Sequence, residues 1–498
     1  MGKEHEKKNR IYSAFRLALG TACAATAVAQ TEPDRTKPSI PEPKHPNSPM
    51  SDVRNATPPA DAASRPNIIF ILADDLGIGN ISCYGADNFK TPNIDKLAKS
   101  GIRFEHCYAA PLSGPSRGML MTGRYAFRTG MTGNDSGPLI KPANETMTPN
   151  VLKPAGYVTA MCGKWSQLPL EPNNWGFDEY LRFQGSGQYW NTQEKAKTYT
   201  LNGKKTPLLD GEYLPDKMHN FVVDFITRHK DKPFYVYYSL SHIHSDILHT
   251  PDSTPDSNDF FTDNVVYMDK LVGKLVAKLD RLKLRKKTLI IFVGDNGTVP
   301  GETPRSTVHG KLLSGYKGSM LECGSLVPMI ASWPGTTPAG KVLQDLLDFS
   351  DYLPTLAEVA GAKLPKGVTI DGKSFAPQLR GQSGQLRDWI FVELGRHWYV
   401  RDMGWKLNEA GELFDMSGAP FKEKIVASDT SDATAIAARK RLQAVLGELN
   451  PAGGIVDQGD GSGRHAKNVR LEKKAKKTAP LSENKTVENV RKLDPNQK

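Results

Sequence analysis

Two pairs of oxygen-bearing side chains follow two apolar runs. Asn67-Ile68-Ile69-Phe70-Ile71-Leu72-Ala73 ends in Asp74-Asp75, and Leu289-Ile290-Ile291-Phe292-Val293-Gly294 ends in Asp295-Asn296-Gly297. Each run is short, continuous and rich in β-branched residues, the pattern of a strand buried on both faces. Oxygens at the C-terminal ends of such strands stand where open α/β sheets place their ligands. A lone Asp-Asp or Asp-Asn-Gly reads as a turn or a helix cap. A third segment, Ser113-Gly114-Pro115-Ser116-Arg117-Gly118-Met119-Leu120-Met121-Thr122-Gly123-Arg124, reads as a turn feeding a helix. Pro115 suits the first helical position, where backbone N–H groups favour an anion. Arg117 adds a fixed positive fork. Pro-Ser-Arg alone also fits an ordinary helix start.

The third segment resembles the signature of the type I sulfatases: Cys or Ser, any residue, Pro, Ser, Arg, then a Leu two residues before Thr-Gly-Arg. The resemblance runs from about Asn67 to at least Phe414 and places both strand ends in order. It implies an alkaline-phosphatase-like α/β fold and a sulfuric ester hydrolase acting on sulfate monoesters, with sulfated carbohydrates as the expected partners. Ser113 is then the residue oxidised to formylglycine. The Ser variant of the signature implies an oxygen-independent maturation enzyme in the host. Asp74, Asp75, Asp295 and Asn296 match the family's metal ligands. With the hydrated aldehyde at 113 they form an all-oxygen shell suited to Ca²⁺ and, less well, to Mg²⁺.

By the same resemblance, Lys164 in Gly163-Lys164-Trp165 and Lys317 in Gly315-Tyr316-Lys317-Gly318 match the sulfate-binding lysines. His244 best fits the histidine between the two halves of the site, with His242 and His249 as near competitors. The implied chemistry is attack on sulfur by a hydroxyl of the residue-113 hydrate. Ca²⁺, Arg117, Lys164 and Lys317 hold the sulfate, and His244 protonates the leaving alcohol. The chain departs from the family at Ser166, where most relatives carry His. Ser166 and Gln167 can hydrogen-bond, but neither is a useful base at neutral pH. Cys323 and Leu326 also stand where Gly and Arg are common. Two alternatives follow: a sulfated-glycan-binding protein with impaired turnover, or a phosphatase or phosphodiesterase of the same superfamily using Ser113 directly. The latter needs more His and Asp ligands than the chain offers in one set.

These residues need a scaffold, and the body supplies one. Apolar strand-like runs alternate with helical segments from Pro66 onward, which predicts a mixed, mainly parallel sheet flanked by helices. A helix is expected from about Asp263 to Leu282, with Val266, Met268, Leu271, Val272, Leu275 and Leu279 at helical spacing. After about Gly381, short runs at Trp389–Val392, Trp398–Arg401, Trp405–Leu407 and Glu412–Phe414 predict a small antiparallel sheet. A helix from about Ala433 to Leu449 follows. The aromatics from Trp175, Phe177 and Tyr180 to Tyr189 and Trp190 are candidates for the mouth of the site or for core.

The organisation read from the sequence is a signal peptide at 1–29 and a disordered linker at 30–65. A catalytic domain at 66–380, a C-terminal α+β subdomain at 381–460 and a basic disordered tail at 461–498 follow. Lys7, Lys8 and Arg10 precede an apolar stretch from about Leu17 to Ala29, and Ala27-Val28-Ala29 suits cleavage. A secreted or periplasmic location is expected, with no membrane span. The net charge of +11 lies mostly at the ends: residues 464–498 carry +7 and residues 1–16 carry +3, which leaves +1 for the middle. Nucleic-acid binding is therefore a poor inference from the basic balance. Cys83, Cys107, Cys162 and Cys323 match no zinc spacing; free thiols are the default reading, with one disulfide possible.

Overall fold

The computed structural model describes residues 65–453, apart from 186, 192–196, 246, 385 and 386. The stretches expected to be a signal peptide and a basic tail, and nearly all of the expected linker, lie outside the described residues.

The dominant element is a ten-stranded sheet. Its centre is four mutually parallel neighbours: β8 (Thr288–Gly294), β1 (Asn67–Ala73), β7 (Phe234–Ser239) and β3 (Val158–Lys164). All residues of β1, β7 and β8 are buried, as continuous apolar runs require of strands covered on both faces. Beyond β3 lie β4 (Glu179–Phe183), parallel to it, and the hairpin β5 (Thr198–Leu201) and β6 (Lys204–Pro207). Beyond β8 lie β9 (Leu326–Ser332), antiparallel to both neighbours, then β2 (Ile102–Tyr108) and β10 (Lys341–Asp348). Because β8, β1, β7 and β3 run the same way, all four deliver their C-terminal ends to one edge.

Helices cover the sheet. The signature helix α1 spans Ser113–Thr122 and is buried throughout. It begins at Ser113, so Pro115 occupies the third helical position rather than the first. Gly123 ends the helix at φ +68, a conformation glycine adopts without penalty. Helices α2 (Leu214–Arg228) and α3 (Phe260–Arg281) follow in the chain. Asp259 caps α3 by accepting the Thr262 N–H at 3.1 Å. The buried stripe of α3 uses Val265, Met268, Leu271, Val272, Leu275 and Leu279. Val266, expected on that stripe, is exposed; the apolar face passes through its neighbour.

A second sheet is an antiparallel meander of five strands: β11 (Ile390–Leu394), β12 (His397–Arg401), β13 (Trp405–Asn408), β14 (Leu413–Asp415) and β15 (Lys424–Val426). Helix α4 (Ala433–Leu449) packs on it through Ala435, Ala438, Leu442 and Leu446. Buried charges tie the two sheets together. The Arg401 guanidinium on β12 pairs with Glu322, which also accepts the Tyr108 hydroxyl at 2.6 Å. Trp175, Phe177 and Tyr180 are core residues, as is Tyr189, and only Trp190 of the aromatic set is half-buried. The four described cysteines are free thiols; Cys83 is half-buried and the others are buried. Among the described residues no helix is long and apolar enough to cross a membrane.

Candidate active site

The ends of β1 and β8 are stitched together. The Asp295 N–H donates to the Ala73 carbonyl at 2.9 Å, and the Asp75 N–H donates to Asp295 Oδ1 at 3.0 Å. Asp75 adopts φ +60, turning the chain sharply after the strand. The Asn296 amide donates to Asp75 Oδ1 at 2.9 Å. Asp74, Asp75, Asp295 and Asn296 are all fully buried. Four residues from two strands, predicted as two separate ends, thus form one hydrogen-bonded cluster.

Helix α1 brings Ser113 onto this cluster. Its Oγ lies 3.3 Å from Asp74 Oδ1 and 3.1 Å from Asn296 Oδ1. Ser116 fixes the turn that precedes it: its hydroxyl accepts the Ala110 N–H at 3.0 Å and lies 2.9 Å from the Leu112 carbonyl. Arg117, one turn along the same helix, points into the sheet ends. Nη2 donates to Asp295 Oδ2 at 2.8 Å, and Nη1 reaches the Lys164 carbonyl, the Tyr237 hydroxyl and Ser239 Oγ at 3.1, 3.2 and 2.5 Å. Burial disfavours the guanidinium charge, but Tyr237, Asp295 and Asp74 more than offset this and raise its pKa.

Strand β3 ends in Lys164, whose Nζ lies 2.8 and 2.7 Å from the two oxygens of Asp74. Gly163 makes this possible: a Cβ there would come within 1.8 Å of the Ser239 carbonyl oxygen on β7. Burial pushes the Asp74 carboxyl up, but Lys164, His244 and Arg117 together hold it down at about 2. Lys317 Nζ lies 2.7 and 2.8 Å from the oxygens of Asp75. Burial lowers the Lys317 pKa, and Asp75 and Asp74 reverse that into a net rise.

The three candidate histidines separate. His244 Nε2 lies 3.1 Å from Lys317 Nζ and 3.6 Å from Asp75 Oδ2. Its pKa is lowered by burial, with Asp74 and Asp75 opposing. His242 is fully buried with no hydrogen-bond partner at either ring nitrogen. Burial drives its pKa to about 3. His249 is exposed and stacks on Trp190 at 5.2 Å. Of the three, only His244 joins the cluster.

Ser166 is turned to other use: its hydroxyl donates to the Gly185 carbonyl at 2.8 Å. The Gln167 side-chain oxygen is buried without a hydrogen-bond partner. Tyr237 and Ser239, which anchor Arg117, were not singled out from sequence. Their alternation along one strand carried the signal, since residues two apart share a face.

Asp74, Asp75 and His244 offer ligand atoms within 4.8 Å of one another. The wider donor set of Asp74, Asp75, Asp295, Asn296 and Ser113 is all oxygen, which suits a hard cation such as Ca²⁺. The His244 Nε2 faces the Lys317 ammonium instead, the side of the cluster suited to an anion.

The family model described as Sulfatase matches residues 66–362. The chain is 33% identical to arylsulfatase A of Homo sapiens over 366 residues, covering 66% of this chain and 70% of that protein. The crystal structure of Ps i-CgsB in complex with k-i-k-neocarrahexaose is similar with a TM-score of 0.68 at 27% identity. That match covers 82% of this chain and 98% of the other. A sulfatase structure from work on the metabolism of multiple glycosaminoglycans by Bacteroides thetaiotaomicron has a TM-score of 0.64 at 25% identity, covering 77% and 99%.

Proposed function

The chain belongs to the sulfatase family, whose reaction is the hydrolysis of sulfate esters, and we propose that its substrates are sulfated carbohydrates and its nucleophile derives from Ser113. The observation that carries this reading is the convergence on Ser113. Its Oγ touches Asp74 and Asn296, while Lys164 pairs with Asp74, Arg117 with the neighbouring Asp295, and Lys317, beside His244, with the neighbouring Asp75. The structural neighbour bound to a neocarrahexaose and the one from glycosaminoglycan metabolism support the carbohydrate class.

Asp74, Asp75, Asp295, Asn296 and residue 113 would hold Ca²⁺, and that ion would supply positive charge to a sulfate oxygen. Conversion of Ser113 to formylglycine would supply a hydrated aldehyde whose hydroxyl is the nucleophile. The remaining work falls to the chain's own groups. Lys164 and Lys317 carry ammonium groups that a sulfate oxygen can share with Asp74 and Asp75. Arg117 keeps Asp295 oriented and is itself held by Tyr237 and Ser239. His244 Nε2 gives a proton to the departing alcohol oxygen as its bond to sulfur breaks. We assign residues 66–380 to catalysis and 381–460 to a C-terminal subdomain, and place the protein outside the cytoplasm after Ser-type maturation.

One observation favours a second reading. Ser166 spends its hydroxyl on Gly185, so the histidine it replaces is not mimicked there, and a sulfated-glycan binder with slow turnover is the alternative. The direct-serine phosphatase reading gains nothing. Among the described residues only one group of His, Cys, Asp and Glu could hold a metal.

Peptide mass spectrometry across residue 113, on protein from its native host, tests the reading. Conversion removes two hydrogens, a loss of roughly 2 Da, and creates the aldehyde. A plain serine there would end the formylglycine mechanism. A converted peptide without turnover of sulfated oligosaccharides would favour the binder.

A further inference from the structure

We infer that Tyr189 is a positioning residue that holds His244 in place for proton transfer; this rests on the role proposed above for His244. The chain leaves β7 through Ser241-His242-Ile243-His244, and Ile243 adopts φ +62. A β-branched residue rarely takes that left-handed conformation, so the surrounding structure must hold it there.

The Tyr189 hydroxyl does so. It lies 3.1 Å from the Ser241 carbonyl oxygen and 2.9 Å from the His244 carbonyl oxygen, sharing its one proton between the two ends of the turn. His242, inside the turn, has no hydrogen-bond partner at its ring and contributes no such hold. Tyr189 is fully buried, and its ring stacks on Tyr213 at 6.3 Å. It packs with Tyr267 and Leu271 of α3. Its carbonyl accepts the Leu214 N–H at the start of α2 at 2.8 Å. Two helices therefore fix the hydroxyl, and the hydroxyl fixes the backbone of His244. The imidazole then reaches Lys317 and Asp75. Tyr189 acts through this backbone, with the His244 side chain as the group that meets substrate.

The test uses Y189F in converted enzyme, with phenyl sulfate and p-nitrophenyl sulfate as probes. Phenolate leaves poorly and needs a proton, whereas p-nitrophenolate leaves without one. Misplacing a general acid should lower kcat on phenyl sulfate about tenfold and on p-nitrophenyl sulfate less than about threefold. A general loss of structure would lower both alike. Adding I243G to Y189F should restore part of the phenyl sulfate rate, because glycine takes the left-handed turn unaided. H244N is the control. If H244N selectively loses phenyl sulfate turnover but Y189F matches the parent, or loses both esters equally, the tyrosine's role is overturned. If H244N itself shows no selective loss, the reading of His244 falls and this inference falls with it.

Discussion

Replacing Lys164 by Ala removes the closest partner of Asp74. The two side chains are fully buried, and Nζ lies 2.8 and 2.7 Å from the carboxylate oxygens. Breaking a buried ion pair by removing one member costs about 3–5 kcal/mol, because the other charge is left behind. Asp74 keeps Arg117 Nη2 at 3.6 Å and the Ser113 hydroxyl at 3.3 Å. That places K164A at the lower end, about 3 kcal/mol. At roughly 2 °C per kcal/mol for a large domain, Tm should fall by about 6 °C in chelator. A cation held by Asp74, Asp75, Asp295 and Asn296 replaces the missing charge. Calcium at about 100 times its Kd adds about 2.7 kcal/mol to a protein that binds it. K164A should bind it more tightly than the parent, because one competing ammonium is gone, so the Tm gap narrows as calcium is added. Thermal unfolding in chelator and across a calcium titration measures both effects. Equal Tm values in chelator, or a gap that calcium leaves unchanged, would refute the pairing argument. Turnover should fall about a hundredfold or more, since an ammonium aimed at developing charge is lost.

Two further outcomes depend on the histidines. His244 must be protonated to donate, and burial, opposed in part by Asp74 and Asp75, lowers its pKa. The kcat/KM profile should therefore fall as pH rises past a value below the usual ~6.5, and H244N should remove that limb. For His242 the linkage runs through stability. The unfolded chain takes a proton near pH ~6.5 and the folded chain resists until about 3, so stability present above that range is lost as pH falls through it. H242F should flatten this acid decline in urea unfolding series, and an unchanged slope would mean that other groups set it.

The strand ends were legible because their signal is local. An apolar run followed by Asp-Asp or Asp-Asn-Gly states both the burial and the chemistry, and β1 and β8 appear where those runs lie. Helix α1 starts two residues before the position that Pro115 suggests, since Pro115 is tolerated in the first turn and does not mark its first residue. The stripe of α3 takes Val265 rather than Val266, because two adjacent valines fit the same period and only packing selects between them. The β5–β6 hairpin turns at Asn202-Gly203, a two-residue signal, but Lys204-Lys205-Thr206-Pro207 has little strand character of its own. Tyr189 could not be assigned from sequence. Its partners are backbone carbonyls more than fifty positions away, at a turn whose φ no composition reveals.

The charges of the cluster explain how so many ionised groups share one buried place. Lys164 pairs with Asp74, Lys317 with Asp75 and Arg117 with Asp295, each within 2.8 Å. Three carboxylates thus face three cations one to one, and the formal sum is zero. Burial is tolerable only under such pairing, so the strand ends can assemble during folding before a cation arrives. A divalent cation held by the same carboxylates makes the sum +2. Each carboxylate oxygen given to that ion is withdrawn from an ammonium, leaving Lys164 and Lys317 with donors to offer. An anionic sulfate ester is the complementary occupant. Substrate affinity and cation binding should therefore be coupled through these two lysines, each strengthening the other by the same factor.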